Sequence, residues 1–178
     1  MAFQPIVERG SGAVFAQEAL VRGPEGEGAA WVFDHVTSEN LYHFDQACRT
    51  KAIQLASDLE LDALLSINFM PNAVYKPERC LQTTLRVADE TGFPINRLMF
   101  EIVETEDIAD IAHLTDIIDV YRAFGMKVAL DDVGAGHSGL NRVVDLHTDV
   151  LKVDRHLITG IDRDTRCLLY TSPSPRDS

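Results

Sequence analysis

Short apolar runs alternate along the chain with longer segments in which apolar residues recur every three or four positions, and that alternation sets the expected architecture. The short runs are "FQPIV", "VFAQEALV", "LLSINF", "RLMFEIVE", "KVALDD" and "VLKVD", several of them nearly continuous in the manner of strands buried on both faces. The longer segments predict helices over 41–58, 77–91, 111–124 and 138–146. In the first of these, Phe44, Cys48, Ile53 and Leu55 form the expected buried stripe, with Asp45, Arg49 and Lys51 off it. Gly92-Phe93-Pro94 and Gly125 supply stops at two helix ends. Strands alternating with helices predict βαβ units and a parallel sheet. The start is the exception, because "RGSG" at 9–12 reads as a hairpin turn and makes the first two strands antiparallel. There is no internal repeat at a fixed period.

Composition narrows the class. The 178 residues are 46% hydrophobic and 25% charged, ordinary for one globular domain or part of a larger one. No run reaches the roughly 20 apolar residues of a membrane span, and "MAFQPIVERG" lacks a signal-peptide layout, so a cytoplasmic protein is expected. Cys48, Cys80 and Cys167 are too few and too scattered for a disulfide framework or a Cys-x-x-Cys metal site, and are expected as buried thiols. A net charge of −12 argues against a broad DNA or RNA surface, since affinity for a phosphate backbone rests on clustered Lys and Arg. An anionic substrate would need local compensation from a metal or an arginine. Residues 167–178, "CLLYTSPSPRDS", have no period and resemble the translation of a sequencing-library adapter, so they are expected to be a non-native tail. On that reading residues 1–166 are a partial domain whose natural chain continues.

The candidate chemistry lies at strand ends. Glu18, Asn68, Glu101, Asp131 with Asp132, and Lys152 each stand at or near the end of a different strand run. In a β/α barrel the catalytic groups come from the C-terminal ends of several strands. Singly, each has a bland alternative: Glu18 as a solvated strand end, Asn68 and Asp132 as turn-forming groups, Lys152 as a surface charge beside Asp154. Jointly they favour a shared site. Their donors are all oxygen apart from the lysine, a set preferred by Mg²⁺ or Mn²⁺ over zinc. None of His35, His43, His113, His137, His147 and His156 falls in a His-x-x-x-His spacing, and none is assigned as a ligand. Adjacent aspartates in an extended strand face opposite sides, so Asp131 and Asp132 are expected to converge only where the strand ends and turns, at Gly134 and Gly136. Asp131 would then bridge two cations and Asp132 hold the second. Two metals about 4 Å apart suit an in-line displacement at phosphorus, with Lys152 steadying the water or the developing charge.

"FQPIV", "EALVRG", "SINF", "FEIVETE", "DDVGAG" and "LKVD" occur in the order and approximate spacing of the EAL-domain family, and the match runs from Phe3 to Arg166. The resemblance implies a bacterial phosphodiesterase that hydrolyses cyclic di-GMP to linear pGpG on a modified (β/α)₈ TIM-type barrel with one antiparallel strand, and a homodimer. It implies metal positions at Glu18, Asn68, Glu101, Asp131 and Asp132, two Mg²⁺ or Mn²⁺ per site, a catalytic lysine at Lys152, a phosphate contact at Arg22 and a loop anchor at Glu104. The wording around "RGPEGEGAAWVFD", "FDQACR" and "SINFMPNAVY" resembles EAL domains attached to light- or redox-sensing modules.

Two positions depart from the family pattern: Val133 stands for a phenylalanine, and His137 for a tyrosine, in the loop that couples dimer contacts to activity. A further glutamate and a glutamine from the last strands have no counterpart. Such a barrel takes about 250 residues, so about six of eight strands are expected and the isolated fragment is expected to be poorly soluble and inactive. Two alternatives to a phosphodiesterase parent stand beside it. One is a catalytically degenerate EAL module that binds cyclic di-GMP or a partner protein. The other is a Schiff-base enzyme with Lys152 as nucleophile.

Overall fold

The computed structural model describes residues 1–74, 76–103, 111–134 and 146–160. Strand β1 (Ala2–Val7) runs antiparallel to β2 (Val14–Leu20) through the expected hairpin. Then follow α1 (Ala29–Phe33), α2 (Leu41–Asp58), β3 (Leu64–Asn68), a short 3₁₀ turn at Pro71–Ala73, and α3 (Pro77–Thr91). A second such turn (Ile95–Arg97) leads into β4 (Leu98–Val103), α4 (Ile111–Ala123), β5 (Lys127–Val133), β6 (Val150–Val153) and α5 (Arg155–Ile158). The six strands form one sheet in sequence order, parallel from β2 to β6. Sequential parallel strands with helical crossovers curl into a half-barrel, as expected. Glu104, Gly136, His137, Cys167, the proposed tail at 167–178 and nearly all of the helix expected at 138–146 lie outside the described residues.

Strand alternation sorts the two faces. Leu65, Ile67, Leu98, Phe100, Ile102, Val128 and Leu130 are buried against the helices. Ala16, Met99 and Ala129, with Ile6, Leu64 and Val150, form a separate apolar layer on the inner face. The next inner positions along the strands carry Glu18, Ser66, Glu101 and Asp131. The site therefore rests on an apolar floor at the C-terminal end of the strands. Gly92 and Gly125 end α3 and α4 at φ 71° and 84°, conformations that cost other residues a Cβ clash.

Helix α2 differs from expectation. Its buried stripe is Asp45, Gln46, Arg49, Ala52, Ile53 and Ala56, while Phe44, Cys48 and Leu55 are only half-buried. The helix is rotated so that Ala52 and Ala56 approach the sheet closely. Asp45 and Arg49 follow them inward because they neutralise one another at 2.7 Å, one helical turn apart. Among the described residues, no helix is long and apolar enough to cross a membrane.

Candidate metal centre and active site

Glu18, Glu101 and Asp131 reach one point from three strands, with carboxylate oxygens within 4.8 Å of one another. Glu101 is fully buried, whereas the Glu18 and Asp131 side chains are 15% and 17% exposed. Lys152 donates from Nζ to Asp131 Oδ2 at 2.7 Å, Glu101 Oε2 at 2.7 Å and Glu18 Oε2 at 3.2 Å. Asn68 donates from Nδ2 to Glu18 Oε1 at 3.0 Å, leaving its amide oxygen as a further donor to a cation. Five of the positions proposed from sequence thus meet in one cluster.

Asp132 reaches the rim by an unexpected route. β5 ends at Val133, one residue beyond Asp132, and turns at Gly134 (φ 95°), but before that its pairing with β6 shifts register between Leu130 and Val133. Asp132 is the extra residue of that bulge, with φ 54°, a left-handed conformation that aspartate tolerates better than most residues. Its amide donates to Asp131 Oδ1 at 2.9 Å, and its exposed side chain borders the cleft beside the three carboxylates, outside their tight cluster. The bulge thus sets Asp132 at the rim of the site beside Asp131, in the last turn of backbone before the strand ends.

Arg22 lies apart. Its guanidinium folds back to donate from Nη1 to the carbonyl of Val21 at 2.7 Å, and it is half-buried. Ser66 was missed by motif reading. It donates from Oγ to Glu101 Oε1 at 2.5 Å and holds the buried carboxylate from the side opposite Lys152. The signal was present, since Ser66 stands two residues before Asn68 on the same strand face.

The electrostatics favour a cation. Burial drives the Glu101 carboxyl above its usual range, while the hydrogen bonds from Lys152 and Ser66 pull against that rise. Burial alone would lower the Lys152 ammonium, but hydrogen bonds to Asp131 and Glu101, with the charges of Glu101 and Glu18, overcome it and hold Lys152 above its ordinary value. Asp132 is raised first by burial, then by the charges of Asp131 and Asp154. Three carboxylates around one ammonium leave two negative charges uncompensated, three with Asp132 counted. That excess, presented by oxygen donors alone, fits hard divalent cations of the Mg²⁺ and Mn²⁺ type.

The centre opens into a cleft of about 530 Å³ whose lining includes Asn68, Asp131 and Asp132 together with Phe33, Phe44, Cys48 and Met70. Phe33 and Phe44 meet edge to face with ring centroids 5.6 Å apart. A ligand there would meet acidic and apolar side chains together, since Asp45 also lines the cleft, beside Phe44 and Cys48. A second hollow, about 560 Å³, lies at the opposite end of the strands near Val7, Phe15, Leu64 and Arg97. It holds no candidate metal cluster among the described residues.

Comparison with known proteins agrees with this geometry. Among curated relatives, the blue light- and temperature-regulated antirepressor BluF of Escherichia coli is 28% identical over 163 residues, covering 91% of this chain and 40% of that protein. The probable cyclic di-GMP phosphodiesterase PdeG of Escherichia coli is 25% identical over 171 residues, covering 91% and 34%. The chain thus spans well under half the length of either. Among solved structures, a standalone EAL protein of Vibrio cholerae in its c-di-GMP-bound form has a TM-score of 0.89 and 47% identity, covering 96% of this chain and 72% of that one. Klebsiella pneumoniae BlrP1, in a manganese and cyclic di-GMP complex, has a TM-score of 0.86 and 30% identity over 94% of this chain and 43% of that one. The model of the family described as the EAL domain matches residues 1–168, and the chain, with its half-barrel and acidic centre, belongs to that family.

Proposed function

We propose that the full-length protein hydrolyses cyclic di-GMP to linear pGpG by a two-metal mechanism. The observation that carries this reading is the cluster of Glu18, Glu101 and Asp131 within 4.8 Å, excess in negative charge and opening into a cleft. Glu18, Asn68, Glu101 and Asp131 would hold one Mg²⁺ or Mn²⁺, and Asp131 with Asp132 a second. When bound, the cations supply charge neutralisation at phosphorus and acidify water for in-line attack. The chain's own groups do the rest. Glu101, pinned by Ser66, fixes the floor of the site. Lys152 would face the attacking water or the developing phosphate charge. Arg22 would swing from its own backbone to a phosphate oxygen, where a guanidinium can bond twice, and Glu104 would anchor the adjoining loop. Cyclic di-GMP is the proposed ligand and a second copy of the chain the proposed partner.

A raised Lys152 speaks against the Schiff-base reading, which requires a neutral amine. A second reading keeps a specific support: the relative named an antirepressor, for which a module that binds without turnover is the natural counterpart. Incubation of the full-length protein with cyclic di-GMP and Mn²⁺ separates the two. Formation of pGpG that stops on adding EDTA is the expected result; binding without product in Mn²⁺ and Mg²⁺ would establish the degenerate module. Arg22→Ala should raise KM more than it lowers kcat, and the reverse pattern would remove Arg22 from phosphate binding.

A further inference from the structure

Outside the barrel wall, behind the metal centre, Arg49 of α2 is 1% exposed. Its guanidinium carbon lies 5.0 Å from the ring centroid of Phe100, 5.4 Å from Phe69 and 5.7 Å from Tyr121. Nη1 donates to the Tyr121 hydroxyl at 2.6 Å, and Nε lies 2.7 Å from Asp45 Oδ2. That second contact is an ion pair off the N–H direction rather than a directed hydrogen bond, and Nη2 has no hydrogen-bond partner among the described residues. A buried cation so incompletely satisfied is costly, and hydrophobic residues of similar volume commonly fill such a place at no loss of stability. Its position suggests what it does.

Alternation along a strand places neighbours on opposite faces. Phe100 and Phe69, which face Arg49, are the immediate neighbours of Glu101 and Asn68, which face the site. Those two inner residues are themselves paired in the β3–β4 register, and Phe69 donates its amide to the Glu101 carbonyl at 3.1 Å. Asp45 adds a third hold, since its Oδ1 accepts from the Met70 amide at 3.1 Å, two residues beyond Asn68. The outer face of both strands is thus fastened at the points where the inner face carries ligands.

We propose that Arg49 is a positioning residue of the metal centre: with Asp45, it clamps Phe69 and Phe100 so that Asn68 and Glu101 present their oxygens at fixed separation. This rests on the proposed metal site, and the test separates the two. Full-length native protein, Arg49→Lys, the paired variant Asp45→Asn with Arg49→Met, and the exposed control Arg86→Met are titrated with Mn²⁺, free ion being followed by electron paramagnetic resonance. Melting curves and KM against kcat are recorded alongside. The paired variant removes both charges yet keeps an acceptor for the Met70 amide, and Arg49→Lys keeps the cation but loses the planar stack. Both should weaken Mn²⁺ binding, the paired variant by about tenfold as for other groups that orient ligands from behind. They should lower kcat with little change in KM, while Arg86→Met behaves as native. Native-like Mn²⁺ affinity in Arg49→Lys overturns the proposal, as does native-like affinity in a paired variant that melts cooperatively. Native protein that binds no Mn²⁺ overturns the metal site itself, and with it this inference.

Discussion

Replacing Lys152 with methionine should strip the metal centre of the ammonium that partly offsets its three carboxylates, and make it depend on added cations. The ammonium sits 2.7 Å from Glu101 and Asp131 and 3.2 Å from Glu18. Each contact has a gross Coulomb energy of about 5–6 kcal/mol at an effective dielectric near 20, most of it offset by desolvation. Removing one partner of a buried pair costs roughly 3–5 kcal/mol, and the lower end applies because the Lys152 side chain is 23% exposed. At about 2–4 °C per kcal/mol in a domain of this size, Lys152→Met should melt roughly 6–12 °C below native protein in EDTA. Mn²⁺ at a hundred times its Kd contributes about 2.7 kcal/mol, so most of that deficit should return. Native protein, whose carboxylates already share an ammonium, should gain less from the ion. Scanning calorimetry of the full-length proteins in EDTA and in a Mn²⁺ series is the assay. The reasoning fails if the variant melts with native in EDTA, or if Mn²⁺ stabilises it no more than native.

Other outcomes follow from the same geometry. Asp132→Gly should raise stability by about 0.5–1 kcal/mol, because φ 54° suits glycine, while turnover of cyclic di-GMP falls; calorimetry and product analysis check both halves. The Glu101 carboxyl is raised in the fold, so its contribution is full below the unfolded value near 4.5 and is lost as pH rises through the raised one. In EDTA, Glu101→Gln should therefore flatten a decline in stability above that pH, seen in denaturant midpoints. Burial, aided by the charge of Asp45, pushes the Cys48 thiol up to about 11. Its alkylation, followed by peptide mass spectrometry, should keep increasing between pH 9 and about 11, and cleft ligands should slow it; a plateau at pH 9 would contradict the assignment.

Much of the site was legible because it breaks the pattern of its surroundings. Glu18, Asn68, Glu101, Asp131 and Lys152 are polar positions set into apolar strands, and a parallel sheet brings such positions together at one end. The α2 stripe was not legible in the same way. Asp45 and Arg49 read as outward residues by charge, and only their mutual neutralisation and the small Ala52 and Ala56 turn that face inward. Asp132 illustrates a second limit. Local sequence offered glycines as the means of convergence, whereas Asp132 reaches only the rim, on a bulge whose register depends on β6, a distant partner. Ser66 shares the strand face of Asn68, but that weak signal names no partner until the carboxylate it holds is known.

The most direct test of the metal centre is a count of bound cations. Equilibrium titration of the full-length native protein with Mn²⁺, in the presence of cyclic di-GMP, should give two ions per chain. Glu18→Ala should lose tight binding and product formation together while retaining a cooperative melt. Unchanged stoichiometry and turnover in Glu18→Ala, or no Mn²⁺ bound by the native protein, would contradict the account.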